Sequence, residues 1–392
     1  MNADLLLALK WESATPTGIV RHRDHLFAGA VDVVRDGLPN LLKEKLASAR
    51  PGNTVSVSVD DLVGTDGEAV LDVPRENFHG RRADGAALTP KFGRFYPASY
   101  FSGVSCKGPV VRCVGLDSDT LKLDARHPLT GRALELSAKV VGNLDAMETA
   151  TRSPIDWTCQ LVEGPGLQAC WQGEATDFLD DAAYLRPDEG HDPDFYAMPR
   201  ITAHIDSRAQ QTIGQFYRRF LPKEGRMLDL MSSVHSNLAR DQQCGALIGL
   251  GLNAPELVAN DKLDGAVVSD LNAGRSIPFA DNTFDAAICT VSIDYLTDPI
   301  ETVGEIARVL RPGAPFAVSF SNRWFPPKVT RLWTELYPFE QMALVVRYFQ
   351  QAGRFEELET ASFRGYPRPM DDPYYRQLTE ADPVFAVAGR VV

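Results

Sequence analysis

The sequence has no Cys-x-x-Cys pair, no long run of Lys or Arg, and no apolar stretch approaching the roughly 18 residues that a membrane span needs. Each lack excludes a class. The six cysteines, Cys106, Cys113, Cys159, Cys170, Cys244 and Cys289, are scattered, and so are the seven histidines. Neither a zinc constellation nor a disulfide scaffold is therefore expected, and the thiols read as mostly reduced in a cytoplasmic protein. The formal net charge is −12, and without a basic stripe to follow phosphates the chain is not expected to bind nucleic acid. Nor is a membrane expected as a partner. The opening MNADLLLALKWES carries an acidic residue before a five-residue apolar run and no basic segment, so it does not read as a signal peptide.

What is present fits a soluble globular protein. The chain has 392 residues, 44% apolar and 23% charged, enough for sizeable cores and for two domains as a starting expectation. Periodicity changes near the middle. Residues from about 52 to 142 show period-two segments such as TVSVSV (Thr54 to Val59) and LELSAKVV (Leu134 to Val141) between turn-rich stretches, which predicts a β-rich half. A helix is predicted before it, with Leu38, Leu41, Leu42 and Leu46 on one face. Residues 143 to 200 are the least regular and read as a connecting segment.

From about residue 201 helix and strand patterns alternate. RAQQTIGQFYRRFL places Ile213, Phe216, Tyr217 and Phe220 at helical spacing, with Asp206 or Ser207 as N-cap. Four short apolar runs follow, RMLDLM, GALIGLGL, GAVVSDL and FDAAICTVSI. The helix DPIETVGEIARVL and a fifth strand, FAVSFS, come next. Buried strands alternating with helices imply a doubly wound, mostly parallel sheet and an α/β fold. Ligands of such sheets sit outside the carboxyl ends of the strands, which points to Asp229, Gly251 to Asn253, Asp270 and Thr290 to Ser292. Each carboxylate also fits a plainer role, Asp270 capping a turn and Asp229 standing at the strand rim.

LDLMSS, IGLGLN, VVSDLNAGRSIPFADNTFDAAICTVSIDYL and EIARVLRPGAPFAVSFSN, in this order from about residue 225 to 322, resemble the class I S-adenosylmethionine-dependent methyltransferases of the type 11-like branch. The resemblance implies a Rossmann-like fold over 201–392 and S-adenosylmethionine as cofactor. It places Asp229, Met231, Ser232 and Ser233 by the methionine part, and Gly249, Gly251, Leu252 and Asn253 by the ribose and adenine. Asp270 and Leu271 fall at the adenine amine, with Thr290, Val291 and Ser292 beside the transferable methyl. Two positions depart from the family. The glycine-rich first turn is Met231-Ser232-Ser233, and Gly251 stands where an acidic residue usually grips the ribose, so Asn253 or a residue outside the core must replace it. Upstream, Arg200 could pair with the cofactor carboxylate, or simply stand exposed at a helix start. Tyr295, Asp294, His235 and His204 are candidate bases, none distinguished from the others. Cys289 reads as core.

In the N-terminal half, LASARPGNTVSVSV, VPRENF, ALTPKFGRFYP and above all VRCVGLDSDTLKLDARHPLTGRALELSAKVV resemble an FKBP-type peptidyl-prolyl isomerase of the SlyD kind. That implies an α+β domain over 1–142 with a flap inserted at about 73–120. Val63-Gly64 and Leu136 fall where such isomerases carry pocket rings, which argues against robust isomerase activity. Phe92, Phe95, Tyr96, Tyr100 and Phe101 either contact an extended chain or form the flap's own core. Beyond residue 323 an aromatic-rich stretch forms a lid or acceptor wall, or packs on the sheet, with Trp333 and Phe349 in the core.

The leading reading is a methyltransferase whose FKBP-like domain recruits or shapes a small-molecule or peptide acceptor. The alternatives are a small-molecule methyltransferase, of a thiol for example, with a purely structural FKBP-like domain, and a chaperone-like or prolyl-peptide-binding protein with a vestigial methyltransferase fold. No metal is inferred, and oligomeric state is left open.

Overall fold

The computed structural model describes residues 2–59, 62–63, 70–82, 84–104, 109–143, 153–164, 167, 170–274 and 276–392. Gly64 and Cys106 lie outside the described residues. The chain forms two compact units. One comprises Met1–Asp24, Ala28–Asp181 and Glu335–Ala343, the other His25–Phe27, Ala182–Thr334 and Leu344–Val392.

The first unit opens on two long strands, β1 (Asn2–Thr15) and β2 (Gly18–Asp32). In β1 every second residue from Ala3 to Ser13 is buried, the period-two burial of a strand with one covered face. α1 (Asn40–Leu46) buries Leu42 and Leu46, while Leu41 is 50% exposed, so Leu41 does not share the predicted apolar face. β3 (Thr54–Val59) is followed by β4 (Leu71–Pro74), β5 (Phe95–Pro97), β6 (Val110–Leu116), β7 (Thr120–Asp124) and β8 (Leu134–Asn143). The larger sheet of the unit runs β2-β1-β8-β3, and the smaller runs β4-β7-β6-β5. The smaller sheet is thus inserted in the chain between β3 and β8, which pair with each other.

Leu136 pairs with Leu9 and Val57 across the middle of the larger sheet. In the smaller sheet, Phe78 meets Tyr96, Tyr100 and Phe101 at ring distances of 5.4, 6.2 and 5.0 Å. Phe95, Tyr96 and Phe101 are buried. Tyr96 and Phe101, with Phe78 and Tyr100 against them, form the core of the insert, the second of the two roles expected of its aromatics, while Phe95 packs on Phe339 and Phe92 on Trp171. α2 (Trp157–Val162) starts on Asp156, whose side chain accepts from the Cys159 amide.

The second unit contains α3 (Asp192–Phe195), α4 (Ser207–Tyr217), β9 (Arg226–Leu230), β10 (Ala246–Gly251), α5 (Ala254–Ala259), β11 (Gly265–Val268) and β12 (Ala286–Thr290). α6 (Pro299–Val309), β13 (Pro315–Phe320), α7 (Arg331–Thr334), α8 (Pro338–Ala352, of which the residues up to Ala343 belong to the first unit), β14 (Phe355–Arg364) and β15 (Val384–Val391) complete the elements. Asp206 is the N-cap of α4 and accepts from the Ala209 amide at 2.8 Å. Ile213, Phe216 and Tyr217 then pack with Met227, Leu247, Ile288 and Ala317 of the strands.

Strands in this unit run β11-β10-β9-β12-β13-β15-β14. β9 to β13 are mutually parallel. β15 is antiparallel to both its neighbours, a departure from the parallel pattern confined to the end of the chain. The order reverses between β9 and β12, the point at which doubly wound sheets leave a crevice. Trp333 and Phe349 are buried.

Candidate functional site

Outside the carboxyl ends of these parallel strands lies a cavity of about 740 Å³, toward the upper part of the ~300–1,000 Å³ range of ligand pockets. Every residue expected at the cofactor except Gly249 lines it. A Cβ on Gly249 would meet Leu263 and Leu257, so this position faces packing on the flank of β10 and not the cavity. Of the candidate bases, His204, His235 and Tyr295 line the cavity. Asp294 does not. It is buried, which pushes its carboxyl up to about 7.

The first turn, which lacks glycine, is made by Met231. Its φ is 53°, a left-handed conformation that costs a residue with a Cβ about 1–2 kcal/mol. Neither serine takes that conformation. The Ser232 amide donates to the Leu250 carbonyl at 2.8 Å, and the Ser232 hydroxyl donates to Asp229 Oδ2 at 2.7 Å. Asp229 is 2% exposed. Burial is the largest influence on its carboxyl and pushes it up to about 6 against the pull of Ser232 and Ser236.

This turn also explains Gly251. A Cβ there would run into the backbone carbonyl oxygen of Ser232, far inside van der Waals contact. No side chain fits at the position where the family carries its ribose-binding acid. The carboxylate present nearby is Glu256, buried and lining the cavity. It lies at the third position of α5. Its two oxygens accept from the Arg200 amide at 2.7 Å and the Ser233 hydroxyl at 2.6 Å, and each keeps further acceptor capacity. Asn253 is engaged otherwise. Its carbonyl accepts from the Glu256 amide to cap α5, and its amide donates to the Tyr196 carbonyl at 2.7 Å. Through these bonds it shapes the wall of the cavity, which it also lines.

Arg200 is not exposed at a helix start. Its guanidinium lies 4.9, 5.7 and 5.0 Å from the ring centres of Phe195, Tyr196 and Phe325, an aromatic cage that suits a delocalised cation. Nη2 donates to the Phe195 carbonyl at 3.3 Å. Nη1 is buried without a hydrogen-bond partner. A buried, unpaired cationic donor lining a cavity is a ready site for an anion. Asp270 does cap a turn, accepting from the Asn272 amide at 2.9 Å, and it lines the cavity as well.

At the end of β12, Val291 has φ 46°, costly for a β-branched residue. Its amide donates to the Ser319 carbonyl at 2.8 Å. Beneath it, the Tyr217 hydroxyl bonds Thr290 Oγ1 at 2.7 Å, Ser319 Oγ at 2.6 Å and the Cys289 carbonyl at 3.1 Å. Tyr295 accepts from the Phe325 amide at 2.8 Å, and burial raises its phenol well above the ordinary value, so it holds its proton. Burial lowers His204. Its imidazole is neutral near pH 7 and able to accept a proton. Cys289 is buried core, and burial pushes its thiol up.

Residues 232–318 match the family of methyltransferase domains. The chain is 31% identical over 134 residues to a demethylmenaquinone methyltransferase of Lactiplantibacillus plantarum, covering 32% of this chain and 55% of that protein. To the enzyme of the same name from Corynebacterium kroppenstedtii it is 31% identical over 120 residues, covering 30% and 52%. It therefore spans about half the length of these curated relatives. Among solved structures, a SAM-dependent methyltransferase of Aquifex aeolicus is 16% identical over 52% of this chain and 100% of that one, with a TM-score of 0.34. The match to a methyltransferase domain thus falls on β10 to β13 and the loops at their carboxyl ends.

Four residues of this site were not identified from the sequence. Glu256 was signalled by Asn253 three positions earlier, the spacing of a helix-capping pair. Phe325, Tyr217 and Asp192 had no local signal. Asp192 pairs with Arg186, six residues earlier, at 2.8 Å and with the fully buried Lys328, far along the chain, at 3.0 Å.

Proposed function

We propose that the chain is an S-adenosylmethionine-dependent methyltransferase whose transfer site is the cavity at the ends of β9, β10 and β12. The observation that carries this is the conjunction of an unpaired, caged Arg200 with the buried Glu256 on one strand-end cavity. Arg200 would hold the methionine carboxylate, Glu256 would take the ribose hydroxyls and Asp270 the adenine amine. The cofactor supplies an electrophilic methyl group. Alignment then supplies most of the catalysis. The acceptor atom would gain the methyl as the carbon–sulfur bond breaks with its electron pair left on sulfur, and His204, which lines the cavity, would take a proton from an acceptor that carries one.

Calorimetric titration of the full chain with S-adenosylmethionine tests this. Binding at micromolar cofactor, weakened at least tenfold by Arg200→Met, is expected. A folded protein that binds no cofactor at high micromolar concentration refutes it.

The N-terminal unit we read as FKBP-like, of the SlyD kind, with a structural or acceptor-recruiting role. The support is the small sheet inserted between the paired strands β3 and β8. Leu136, packed among Leu9 and Val57, gives no pocket ring. The full chain is accordingly expected not to accelerate isomerisation of a prolyl peptide.

A further inference from the structure

A second group of cations without acids to match lies wholly in the first unit. Arg112, on β6, is 7% exposed. Its guanidinium stands 4.2 Å from the ring centre of Phe95, its register partner on β5, and its Nε has no hydrogen-bond partner. A buried, unpaired guanidinium is costly and requires an anion close by. The two acids within its electrostatic reach are Glu340 and Asp124, and both are committed to other groups. Glu340 accepts from Arg94 Nε and from the Phe95 amide, each at 2.9 Å. Asp124, the register partner of Arg112 on β7, accepts from Arg126 at 2.9 and 3.0 Å and from the Trp171 indole at 3.0 Å.

The Trp171 bond fixes the segment that can supply the missing charge. Trp171 begins a short 3-10 turn, Trp171–Gly173, and the residue before it is Cys170, half-buried and outside any disulfide. A second cation faces the same thiol. Arg132 donates to the carbonyls of Pro128 and Glu12 at 3.0 and 3.1 Å, and its guanidinium stands 5.6 Å from the ring centre of Trp11. Among the described residues neither Arg112 nor Arg132 pairs with a carboxylate. Burial lowers both, to about 10 for Arg112, and Cys170 is the first group to oppose it in each. By reciprocity the two guanidinium groups favour the Cys170 thiolate. The surroundings add donors and no further charge. Trp11 Nε1 is buried without a hydrogen-bond partner. His22, stacked on Trp11 at 3.8 Å and bonded to Ser13 at 2.7 Å, is held well below its ordinary value by burial and then by Arg132, so it is neutral.

From this arrangement we infer that Cys170 is a thiolate held by Arg112 and Arg132, and a site of exchange with small disulfides that carry carboxylates. The site goes beyond methyl transfer and does not depend on it. The Cys170 sulfur attacks one sulfur of the disulfide, a new sulfur–sulfur bond forms to Cys170, and the old one breaks with its electron pair leaving on the second sulfur as a thiolate. The disulfide is the oxidant, and no other reactant is consumed. Once Cys170 is in the mixed disulfide its negative charge is gone, and Arg112 and Arg132 again lack an anion. A carboxylate on the attached half takes that place, whereas an ammonium group there is repelled.

The test uses the full chain, with Cys159 as internal reference. Cys159 is exposed, yet burial and then Glu163 push its thiol up. Labelling with iodoacetamide at about pH 6.5, read peptide by peptide by mass spectrometry, is expected to modify Cys170 about tenfold faster than Cys159 or more, with a pH midpoint below about 7 against the ordinary thiol value of about 8.5. Arg112→Gln and Arg132→Gln should each slow Cys170 about fivefold or more at that pH and move its midpoint upward, while the Cys159 rate stays within about twofold. Arg132 is half-buried, so its replacement keeps the fold even where that of Arg112 does not. Oxidised glutathione should form a mixed disulfide at Cys170 about tenfold faster than cystamine, a dicationic disulfide. A Cys170 that reacts no faster than Cys159 at about pH 6.5, or one whose rate and midpoint are unmoved in Arg132→Gln, overturns the assignment of the thiolate. Cystamine reacting as fast as oxidised glutathione overturns the substrate class.

Discussion

Replacing Gly251 by alanine tests the architecture of the cofactor site at its tightest point. The added Cβ would collide with the Ser232 backbone carbonyl oxygen. β10 cannot move away, because it is hydrogen-bonded to β9 on one side and β11 on the other. The displacement falls on the Met231-Ser232-Ser233 turn, already strained at Met231. Overpacking of this kind costs about 1–3 kcal/mol, which for a unit of this size lowers the melting temperature by roughly 2–10 °C. Because the moved turn lines the cavity, cofactor affinity should fall by about tenfold or more, the equivalent of about 1.4 kcal/mol. Gly249→Ala is the control. Its Cβ would lie 2.6 Å from Leu263 Cδ1, the end of a side chain that can rotate away. It should therefore lose some stability and keep its cofactor affinity within about twofold. Thermal unfolding and calorimetry on both variants decide the matter. A Gly251→Ala protein that binds cofactor like wild type, or a Gly249→Ala protein equally impaired in binding, refutes the site as built here. Gly251→Asp, which restores the family's usual residue type, should also lose affinity rather than gain it.

Three further outcomes are expected. Arg200→Met should weaken S-adenosylmethionine binding about 10- to 100-fold, from loss of a charge-assisted hydrogen bond of about 1.5–3 kcal/mol, while adenosine, which has no carboxylate, binds within about twofold of wild type. Asp229 and Asp294 have folded values of about 6 and about 7, above the unfolded value of about 3.9. The folded chain therefore holds more protons between these values, and the contribution of the two groups to stability declines as pH rises from about 4 to about 7. Urea midpoints across that range should show the decline, and Asp294→Asn should flatten its upper part. An unchanged slope in that variant would contradict the burial argument. Tyr217→Phe should cost about 1–3 kcal/mol by stranding Thr290 and Ser319, visible as a lower urea midpoint.

Much of the C-terminal unit was legible because its signals are local. Asp206 before RAQQTIGQFY, Asp298 before PIETVGEIARVL and the apolar runs of the strands each declare their element within a few residues. The N-terminal strand β1 was not legible in the same way. Leu6 and Ala8 on its less buried face are as apolar as Leu5, Leu7 and Leu9 beneath it, so the alternation that marks a half-covered strand is masked. Leu41 failed for a related reason: an apolar residue beside Leu42 satisfies a loose helical pattern yet points to solvent once the Leu38, Leu42 and Leu46 stripe is set. In the site, the positions of Asp229, Gly251 and Asp270 followed from the rule that ligands gather at strand ends. Which of them could still offer a free polar atom did not. Asn253 is tied up and Glu256 is brought to the cavity through bonds to Tyr196, Arg200 and Ser233, partners no spacing rule connects.

The two departures from the methyltransferase pattern have one cause. A glycine, lacking Cβ, takes a left-handed conformation at no steric cost. Here Met231 takes that conformation with its Cβ, and the Ser232 carbonyl is turned onto the end of β10. The clearance lost in the turn is recovered at Gly251, where a hydrogen replaces the side chain that elsewhere carries the ribose acid. In the proposed site the acid would come instead from the first turn of α5, from Glu256, which the Ser233 hydroxyl and the Arg200 amide hold in place. A missing glycine and a missing carboxylate are thus coupled. Restoring either alone should disturb the site, and a chain with Met231→Gly and Gly251→Asp together should tolerate the aspartate better than Gly251→Asp does by itself, a difference that cofactor titration of the two variants would measure directly.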